Sequence, residues 1–263
     1  MTTKQKLEKL NELLKSYGSA VIAFSGGTDS TLLAVLAKQA LGGKHLAITA
    51  VSPTYAAEEK VFARTMGREL QLNHAIIETD ELDDMKFAAN PVDRCYHCKN
   101  HLFKILSSVA FQKGFRNILD GTNADDGADF RPGRKAALEW EVKSPLAEAG
   151  LTKAEIRRTA RQMGLPNWNK PANACLASRI PYGTQIDAGT LAKIEKAERA
   201  LSALGFAKLR VRHHGDVARI EVLPADFAMM IKRKNQIVRK VREAGYKFVT
   251  LDLCGYQMGC FNP

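Results

Sequence analysis

The sequence predicts an α/β protein in which a doubly wound parallel sheet is followed by a small C-terminal α+β domain. Short apolar runs alternate with helical patterns in the first part of the chain, as in parallel sheets covered by helices. A glycine-rich turn follows the first apolar run, where such sheets bind ligands. The last part of the chain instead reads helix, two alternating strands, helix and strand. A chain of 263 residues has room for both domains.

The first predicted domain covers residues 1–166. Leucines at helical spacing predict an N-terminal helix, and Thr152 with Glu155 forms a capping box that begins a helix ending at Gly164. Strands are predicted over 20–24, 46–51, 74–78 and 117–120, with helices after Ser30 and over 58–70 and 101–113. Since parallel strands end at one edge, we expect the residues after the first, second and fourth strands to lie together.

The second predicted domain covers residues 185–263. Before it, the segment 167–184 contains prolines and a glycine without a clear period, which predicts an ordered loop linking the domains. A helix is predicted over 191–204, strands over 208–213 and 217–223, a helix over 226–244 and a last strand over 248–253. This pattern predicts a separate α+β domain.

The composition favours a soluble protein with anionic partners. Lys and Arg exceed Asp and Glu by 39 − 28 = 11, which favours nucleotides, phosphorylated small molecules or RNA. The basic residues are spread along the chain, so charge alone does not indicate nucleic-acid binding. No signal peptide and no membrane-length apolar run are visible, so we expect a cytoplasmic protein without a membrane partner. Its five cysteines are then expected to be reduced.

Residues 25–30, Ser-Gly-Gly-Thr-Asp-Ser, carry the most specific signal of the first domain. Two glycines allow a sharp turn close to a ligand, and helix-start amides with the hydroxyls of Ser25, Thr28 and Ser30 suit phosphate oxygens. A glycine turn without a ligand is the alternative. No Gly-Lys-Ser/Thr follows, so the string is not a Walker loop. It resembles the SGGxDS loop (PP-loop) of enzymes that split ATP into AMP and pyrophosphate.

The PP-loop resemblance implies an ATP site and an adenylylation reaction. ATP is cleaved between its α and β phosphates, and an oxygen of the acceptor is adenylylated and then displaced by a nucleophile. Asp29 would help to hold Mg²⁺, and the loop amides would bind the departing pyrophosphate. The residues assigned to ATP are Ala23, Phe24, Ser25, Gly26, Gly27, Thr28, Asp29, Ser30, Val51, Gly121 and Thr122.

Cys95 and Cys98 form a Cys-x-x-Cys motif, which we place in a polar connection before a helix. Two thiolates at this spacing can bind one metal or two corners of an iron–sulfur cluster. The neighbouring Arg94, His97 and Lys99 favour thiolates. Two ordinary buried thiols are the alternative. A four-cysteine zinc site would need a second such motif, and the chain has none.

Cys175 lies in the predicted linker and is followed by Ser178 and Arg179, which could bind an anion. A buried loop thiol is the alternative when this segment is taken alone. Together with other strings it resembles the LarE family along nearly the whole chain. The strings are DGTN at 120–123, RPG at 131–133, NWNK at 167–170, CLASR at 175–179, PYG at 181–183, RVR at 210–212, ARIE at 218–221 and LDLCGY at 251–256.

The LarE resemblance implies ATP-dependent sulfur transfer to pyridinium-3,5-biscarboxylic acid mononucleotide, a step in building the nickel-pincer nucleotide cofactor. A pyridinium carboxylate is adenylylated, and sulfur displaces AMP to give a thiocarboxylate. The resemblance assigns catalysis to Cys175, Asp29, Ser178 and Arg179. In some members the cysteine gives up its own sulfur and becomes dehydroalanine, whereas others carry a 4Fe–4S cluster on three cysteines.

Cys95 and Cys98 are a departure from the sacrificial pattern and point to the cluster type. We predict that Cys95, Cys98 and Cys175 bind three irons and leave the fourth open for sulfide, which an external source would supply. Cys254 and Cys260 are an alternative pair of ligands with Cys175. Sacrifice of Cys175 is the alternative for the sulfur source.

The strand over 208–213 places Lys208, Arg210 and Arg212 on one face. A solvated face is the alternative, but the LarE resemblance assigns Arg210, Arg212 and Arg179 to the substrate phosphate. Gln257 stands where an arginine is expected, which puts phosphate contacts there in doubt. The family likeness also suggests a metal site or an assembly contact of a homo-oligomer, with surface carboxylates as the alternative, for Glu198, Glu221 and Asp226.

Two other functions compete with this interpretation. A tRNA thiolation enzyme also combines a PP-loop, a Cys-x-x-Cys motif and positive charge, but we see no RNA-binding appendage. An ATP-sensing module without catalysis would leave the cysteines and the second domain unexplained.

Overall fold

The structure, a computed structural model, describes residues 1–128, 132–171, 173–257 and 261. It divides into two compact units. The N-terminal unit comprises residues 1–52, 57–81 and 93–173, and the C-terminal unit comprises residues 53–56, 82–92 and 174–263. The predicted division, with boundaries at residues 166 and 184, did not anticipate that segments 53–56 and 82–92 belong to the C-terminal unit. The exact domain boundaries stay a prediction.

The strands of the described chain form two sheets. They are β1 Ala20–Ala23, β2 His45–Val51, β3 His74–Glu78, β4 Asn117–Leu119, β5 Leu209–His214, β6 Val217–Val222 and β7 Phe248–Leu251. In the N-terminal unit the order is β3-β2-β1-β4 and all neighbours are parallel. In the C-terminal unit the order is β5-β6-β7, with β5 antiparallel and β7 parallel to β6. The predicted fold class is confirmed.

The helices follow the predicted alternation with strands. They are α1 Thr3–Tyr17, α2 Thr28–Leu41, α3 Ala57–Glu69, α4 Met85–Ala88, α5 Arg94–Lys113, α6 Gly133–Glu139, α7 Pro145–Glu148, α8 Lys153–Gln162, α9 Ala188–Ser202, α10 Phe227–Lys232 and α11 Lys234–Glu243. The capping box of Thr152 and Glu155 begins α8 as predicted. No helix in the described ranges combines the length and apolarity that crossing a membrane requires.

Both faces of the parallel sheet are covered. Because successive residues of a strand point to opposite faces, Ile22 packs in one cluster with Leu33, whereas Val21 packs in another with Phe103 and Leu106. The C-terminal unit has its own core, in which residues of β5 and β6 pack against α9 and α11. Each unit thus has the buried apolar surface that a compact domain needs.

Two predicted helices differ from the structure. α5 begins at Arg94 and not at residue 101, so the Cys-x-x-Cys motif lies at the start of a helix and not in a connection before it. The polar residues of its first two turns hid the helix, because its apolar period starts only near Phe103. The helix predicted over 226–244 is broken at Arg233, which ends α10 and precedes α11.

Candidate active-site residues

The glycine-rich loop connects the end of β1 at Ala23 to the start of α2. Gly27 is the N-cap of α2, whose first residue is Thr28. Gly26 has a φ of +70°, and a Cβ there would lie 3.2 Å from the Cα of Ala63. Glycine is therefore required at this position by the backbone conformation and by the close approach of α3.

Two serine hydroxyls hold the loop together. The Oγ atoms of Ser25 and Ser30 are 3.1 Å apart, and the amide of Ser25 donates to Ser30 Oγ at 3.3 Å. The amide of Gly27 donates to Ser25 Oγ at 3.3 Å. The first amides of a helix have no carbonyl partner within that helix, and the helix dipole is positive at this end. This end of α2 therefore suits an anion such as a phosphate group.

Asn167 fixes the loop from within the N-terminal unit. It is 3% exposed, and its Nδ2 donates to the carbonyl of Gly26 at 2.9 Å and to Thr31 Oγ1 at 2.8 Å. Its own carbonyl accepts from Thr28 Oγ1 at 2.8 Å. One side chain thus ties the turn to the first turn of α2. The sequence analysis missed this role, because residue 167 lies more than a hundred positions after the loop and in a segment without a period.

The end of β4 comes close to the start of α2. A Cβ added at Gly121 would lie 3.0 Å from the amide nitrogen of Ser30. Asp120 accepts hydrogen bonds from the amide and hydroxyl of Thr122 at 3.1 and 2.8 Å and from Ser144 Oγ at 2.7 Å. The loop, Gly121 and Thr122 are therefore gathered at one edge of the sheet. Val51, also assigned to ATP, ends the neighbouring strand β2.

Asp29 is the carboxylate at this edge. Its Oδ2 accepts from Asn123 Nδ2 at 3.0 Å and lies 3.8 Å from Lys153 Nζ. Its Oδ1 is buried and has no hydrogen-bond donor among the described residues. Burial raises the pKa of Asp29, and the negative charge of Asp126 acts in the same direction, while Lys153 and Asn123 oppose them. A buried carboxylate oxygen without a donor, close to a second carboxylate, fits a divalent cation such as Mg²⁺.

Asp126 and Lys153 are site residues that the sequence analysis missed. Asp126 is 8% exposed, and its Oδ2 accepts from the amide of Asn123 at 3.0 Å. Two acidic residues in a row after the Asp120–Asn123 turn were the available signal. Lys153 begins α8, and only the fold brings it to Asp29.

The Cys-x-x-Cys motif lies at the start of α5, with Cys95 in the first turn and Cys98 one turn later. Cys95 is exposed and Cys98 is half-buried, and residues three apart lie on the same side of a helix. A Cβ at Gly133 would lie 3.3 Å from the carbonyl oxygen of Cys95, so α6 begins close against this turn. The buried-thiol alternative therefore does not hold for Cys95.

Cys175 begins a short turn in the C-terminal unit. It is the N-cap of the 3-10 turn Leu176–Arg179, and its carbonyl accepts from the amide of Ser178 at 3.0 Å. Leu176 and Ala177 are buried, whereas Cys175 is exposed. The buried-thiol alternative is therefore wrong for Cys175, since the turn packs its apolar residues inward and leaves the cysteine accessible.

Arg179 is buried, with 2% of its surface exposed. Its Nε and Nη2 each donate to one oxygen of Glu198 at 3.0 Å. Its Nη1 lies within hydrogen-bond distance of the carbonyls of Ala174 and Cys175, at 2.6 and 3.0 Å, and of Ser178 Oγ at 3.0 Å. These contacts are with the protein itself, whereas the sequence analysis assigned Arg179 to the substrate phosphate.

Arg212 forms a second ion pair, in which both partners are buried. Its Nε and Nη2 donate to the two oxygens of Glu221 at 2.9 and 2.8 Å, and its Nη1 donates to the carbonyl of Ser178 at 3.0 Å. Glu221 is 1% exposed, so the surface-carboxylate alternative is wrong for it. The sequence could not reveal these pairs, because each partner lies on a different element, 9 to 19 positions away.

Arg210 differs from the other two arginines, because it is only half-buried. Its Nη1 donates to the carbonyl of Leu209, and its guanidinium carbon lies 5.3 Å from the ring centre of Tyr256. Burial lowers the pKa of Arg210, and the positive charges of Arg179 and Arg212 act in the same direction. An anion near this group would be favourable.

The remaining predicted metal ligands belong to different parts of the chain. Cys254 is exposed and Asp226 is half-buried, and Cys260, like Arg131 of the family strings, lies outside the described residues. Cys95 and Cys98 belong to the N-terminal unit and Cys175 to the C-terminal unit. Within the described ranges, no three His, Cys, Asp or Glu side chains form a group that could hold a metal ion. The three-cysteine cluster stays a prediction.

Some comparisons with known proteins match only part of the chain. A family model described as NAD synthase matches residues 3–97, which include the glycine-rich loop. One component of a glutamine-hydrolyzing GMP synthase from Methanococcus maripaludis is 29% identical over 177 residues, which are 61% of this chain and 55% of that protein. These similarities concern part of the chain and support the PP-loop assignment.

Other relatives match the whole chain. An uncharacterized protein of Synechocystis sp. is 40% identical over 261 residues, covering 98% of this chain and 97% of that protein. The pyridinium-3,5-bisthiocarboxylic acid mononucleotide synthase of Lactiplantibacillus plantarum is 36% identical over 262 residues, covering 99% and 95%. The chain belongs to the LarE family. The predicted family is thereby confirmed, and the likeness extends through both units of this LarE-family chain.

Proposed function

We propose that this LarE-family chain catalyses ATP-dependent sulfur transfer to pyridinium-3,5-biscarboxylic acid mononucleotide and releases AMP and pyrophosphate. The named relative that matches the whole chain supports the substrate class. The observation that carries the proposal is the edge formed by the glycine-rich loop and Asp29, where helix-start amides and an unpaired carboxylate oxygen suit a nucleotide with its metal ion.

In the first half-reaction, a carboxylate oxygen of the substrate attacks the α-phosphorus of ATP. The bond between the α-phosphorus and the bridging oxygen breaks, and pyrophosphate leaves with the electron pair. The amides of the loop and of the first turn of α2 would hold the leaving phosphates, and Asn167 keeps that turn in place. Asp29 and Asp126 would hold Mg²⁺, which neutralises phosphate charge when bound.

In the second half-reaction, a sulfur nucleophile attacks the adenylylated carboxyl carbon and AMP leaves. If the sulfur is that of Cys175, a thioester forms first. Removal of the Cα proton then breaks the Cβ–S bond, the electron pair goes to sulfur, and the products are a thiocarboxylate and dehydroalanine at position 175. The exposure of Cys175 supports this sacrificial route.

A 4Fe–4S cluster is the other proposed sulfur source. The position of Cys95 and Cys98 on one side of α5, at its start, supports a pair of ligands there. Cys175 would be the third ligand, and sulfide from an external donor would allow repeated turnover. Arg210 is proposed to bind the substrate phosphate under either route. A homo-oligomer also stays a proposal.

The test of the function is product analysis with each candidate acceptor. With ATP and the pyridinium dicarboxylate mononucleotide, AMP and thiocarboxylate should form together, and undermodified tRNA should not stimulate AMP release. Stimulation by tRNA alone would favour the thiolation enzyme.

The test of the sulfur source is iron analysis after anaerobic reconstitution, with protein mass before and after turnover. Iron that is lost in the Cys95→Ser and Cys98→Ser variants, with an unchanged mass after turnover, supports the cluster. Less than one iron per chain, with loss of the elements of hydrogen sulfide at Cys175, supports sacrifice.

A further inference from the structure

Two ion pairs, each between a buried arginine and a glutamate, hold the turn that carries Cys175. We propose that Arg179 and Arg212 are positioning residues for Cys175 and that Arg179 does not bind the substrate phosphate. This inference rests on the proposed sulfur transfer and assigns a role to residues that the sequence alone would give to the substrate.

The hydrogen-bonding capacity of Arg179 is already used within the protein. A phosphate ligand must present N–H groups to an incoming oxygen, and a guanidinium has five of them. All three nitrogens of the Arg179 guanidinium have partners in the protein. Glu198 accepts from Nε and Nη2, while three acceptors of the cysteine segment surround Nη1. With 2% of the residue exposed, little of it can meet a ligand.

Glu198 is itself anchored to the backbone of β5. It lies on α9, and its Oε1 also accepts from the amide of Val211 on β5 at 2.9 Å. A continuous chain of hydrogen bonds therefore runs from the β5 backbone through Glu198 and Arg179 to the carbonyl of Cys175. Helix, strand and cysteine turn are joined by one ion pair.

Arg212 holds the other end of the same turn. Its Nη1 donates to the carbonyl of Ser178, and its Nη2 also reaches the carbonyl of Gln257 at 3.2 Å. Beyond the turn, the buried Asn90 donates to the carbonyls of Pro181 and Thr184 at 2.8 and 3.0 Å. The backbone of the segment is fixed on both sides, while Cys175 itself stays exposed. An oriented sulfur reacts faster than a mobile one.

Arg210 provides the matched comparison. It lies on the same strand face as Arg212 but is half-buried. Its Nη1 donates to the carbonyl of its neighbour Leu209. Positioning and phosphate binding are therefore assigned to different arginines of one small region.

The experiment compares Arg179→Met/Glu198→Met with Arg210→Met. The double change removes both charges together, which avoids the uncompensated buried charge that a single change would leave. Three quantities are measured on the full chain: the dissociation constant of the pyridinium mononucleotide, the rate of pyrophosphate release and the single-turnover rate of thiocarboxylate formation. Amide hydrogen exchange over residues 174–180 reports the mobility of the turn independently of activity.

For the double variant, we expect thiocarboxylate formation to slow by about tenfold or more, because orientation is lost. Its pyrophosphate release and substrate affinity should stay within about threefold of wild type, and exchange over 174–180 should accelerate. Arg179→Lys should not restore the wild-type rate of sulfur transfer, because a lysine ammonium cannot form the two parallel hydrogen bonds that the guanidinium makes to Glu198. Arg210→Met should instead weaken substrate binding by about tenfold or more, the loss expected for a charged hydrogen bond.

Three results would overturn the inference: a parallel loss of substrate affinity and both rates in the double variant, sulfur transfer at the wild-type rate, or rescue by Arg179→Lys. Arg179→Gln/Glu198→Gln, which also removes both charges but keeps polar side chains, gives the same comparison if the methionine double variant does not fold. A wild-type chain that releases no AMP with this substrate would instead contradict the proposed function, and the hydrogen-exchange comparison would still test the positioning role.

Discussion

The glycine-rich loop and the cysteine turn handle charge in opposite ways. In the loop region, Asp29 keeps a buried oxygen without a donor among the described residues, and burial works against its ionised form. In the cysteine turn, Arg179 and Arg212 are each paired with a glutamate and with backbone carbonyls. A buried charged group without a protein partner is a candidate ligand-binding group, whereas one paired within the protein supports the structure. The difference separates residues that would meet ATP and its metal ion from residues that hold a reactive thiol.

Removing the Cys175 thiol should separate the roles of the loop and the cysteine turn most clearly. Cys175→Ala should lower thiocarboxylate formation by on the order of 10³-fold or more, as expected for loss of a reacting group. Pyrophosphate release should persist, since the loop region is untouched. Chromatography of both products in one reaction checks this. Cys254→Ser is the control from the same unit, and an equal loss there would favour the alternative ligand pair.

Removing the carboxylate should have the converse effect. Asp29→Asn should slow pyrophosphate release by about 10²- to 10³-fold, because a group that organises charge in the transition state is lost. Without nucleotide, the same variant should melt at a higher temperature than wild type at neutral pH, since an ionised carboxylate no longer has to be buried.

The pH dependence of that stabilisation has a defined sign. The folded-state pKa of Asp29 is raised above its unfolded value, so ionisation costs the native state stability as the pH rises through this interval. The difference in melting temperature between Asp29→Asn and wild type should be small in acid and should grow to a plateau above the folded-state pKa. A difference in melting temperature that stays constant with pH would show that ionisation of Asp29 does not destabilise the native state.

The close approach of β4 to α2 can be tested with a matched glycine pair. Gly121→Ala would place a Cβ 3.0 Å from the amide nitrogen of Ser30. We expect a loss of stability of about 1–3 kcal/mol, as for other overpacked sites, and weaker ATP binding. Gly43→Ala meets no atom within 4 Å, so it should be nearly neutral. Thermal melting and nucleotide titration measure both, and equal behaviour of the pair would contradict the steric argument.

The smallest expected effect concerns the support of α8. A hydrogen bond from Lys6, followed by that from the amide of Thr152, lowers the pKa of Glu155 to about 2. Stability from this group is therefore present above the ordinary value of 4.5 and is lost as the pH falls toward 2. Glu155→Gln should cost about 1 kcal/mol near neutral pH and nothing in strong acid. Urea titrations at both pH values check this, with the exposed Glu12→Gln as control.

Sequence reasoning succeeded where local chemistry decides the structure. The strand over 74–78 and the capping box at Thr152 were predicted because period and capping are properties of neighbouring residues. It missed the first turns of α5, where Arg94 and not an apolar residue is buried. A polar turn gives no periodic signal, although it carries Cys95 and Cys98.

The candidate site could be predicted as a set of residues but not as a set of roles. The string at 25–30 identified the loop, because its glycines and hydroxyls are consecutive. The roles of Asn167, Asp126 and Glu198 depend on partners that only folding brings near. Arginine on a strand predicts a phosphate ligand or a solvated face equally well, until the opposing glutamate is seen.

The most direct test of the account uses Cys175→Ala with labelled pyrophosphate. If the chain attaches AMP to the substrate before sulfur arrives, this variant should exchange pyrophosphate into ATP only when the pyridinium dicarboxylate mononucleotide is present. The adenylylated substrate should also be detectable by mass spectrometry. Exchange that does not depend on this substrate, or release of ADP and orthophosphate, would contradict the account.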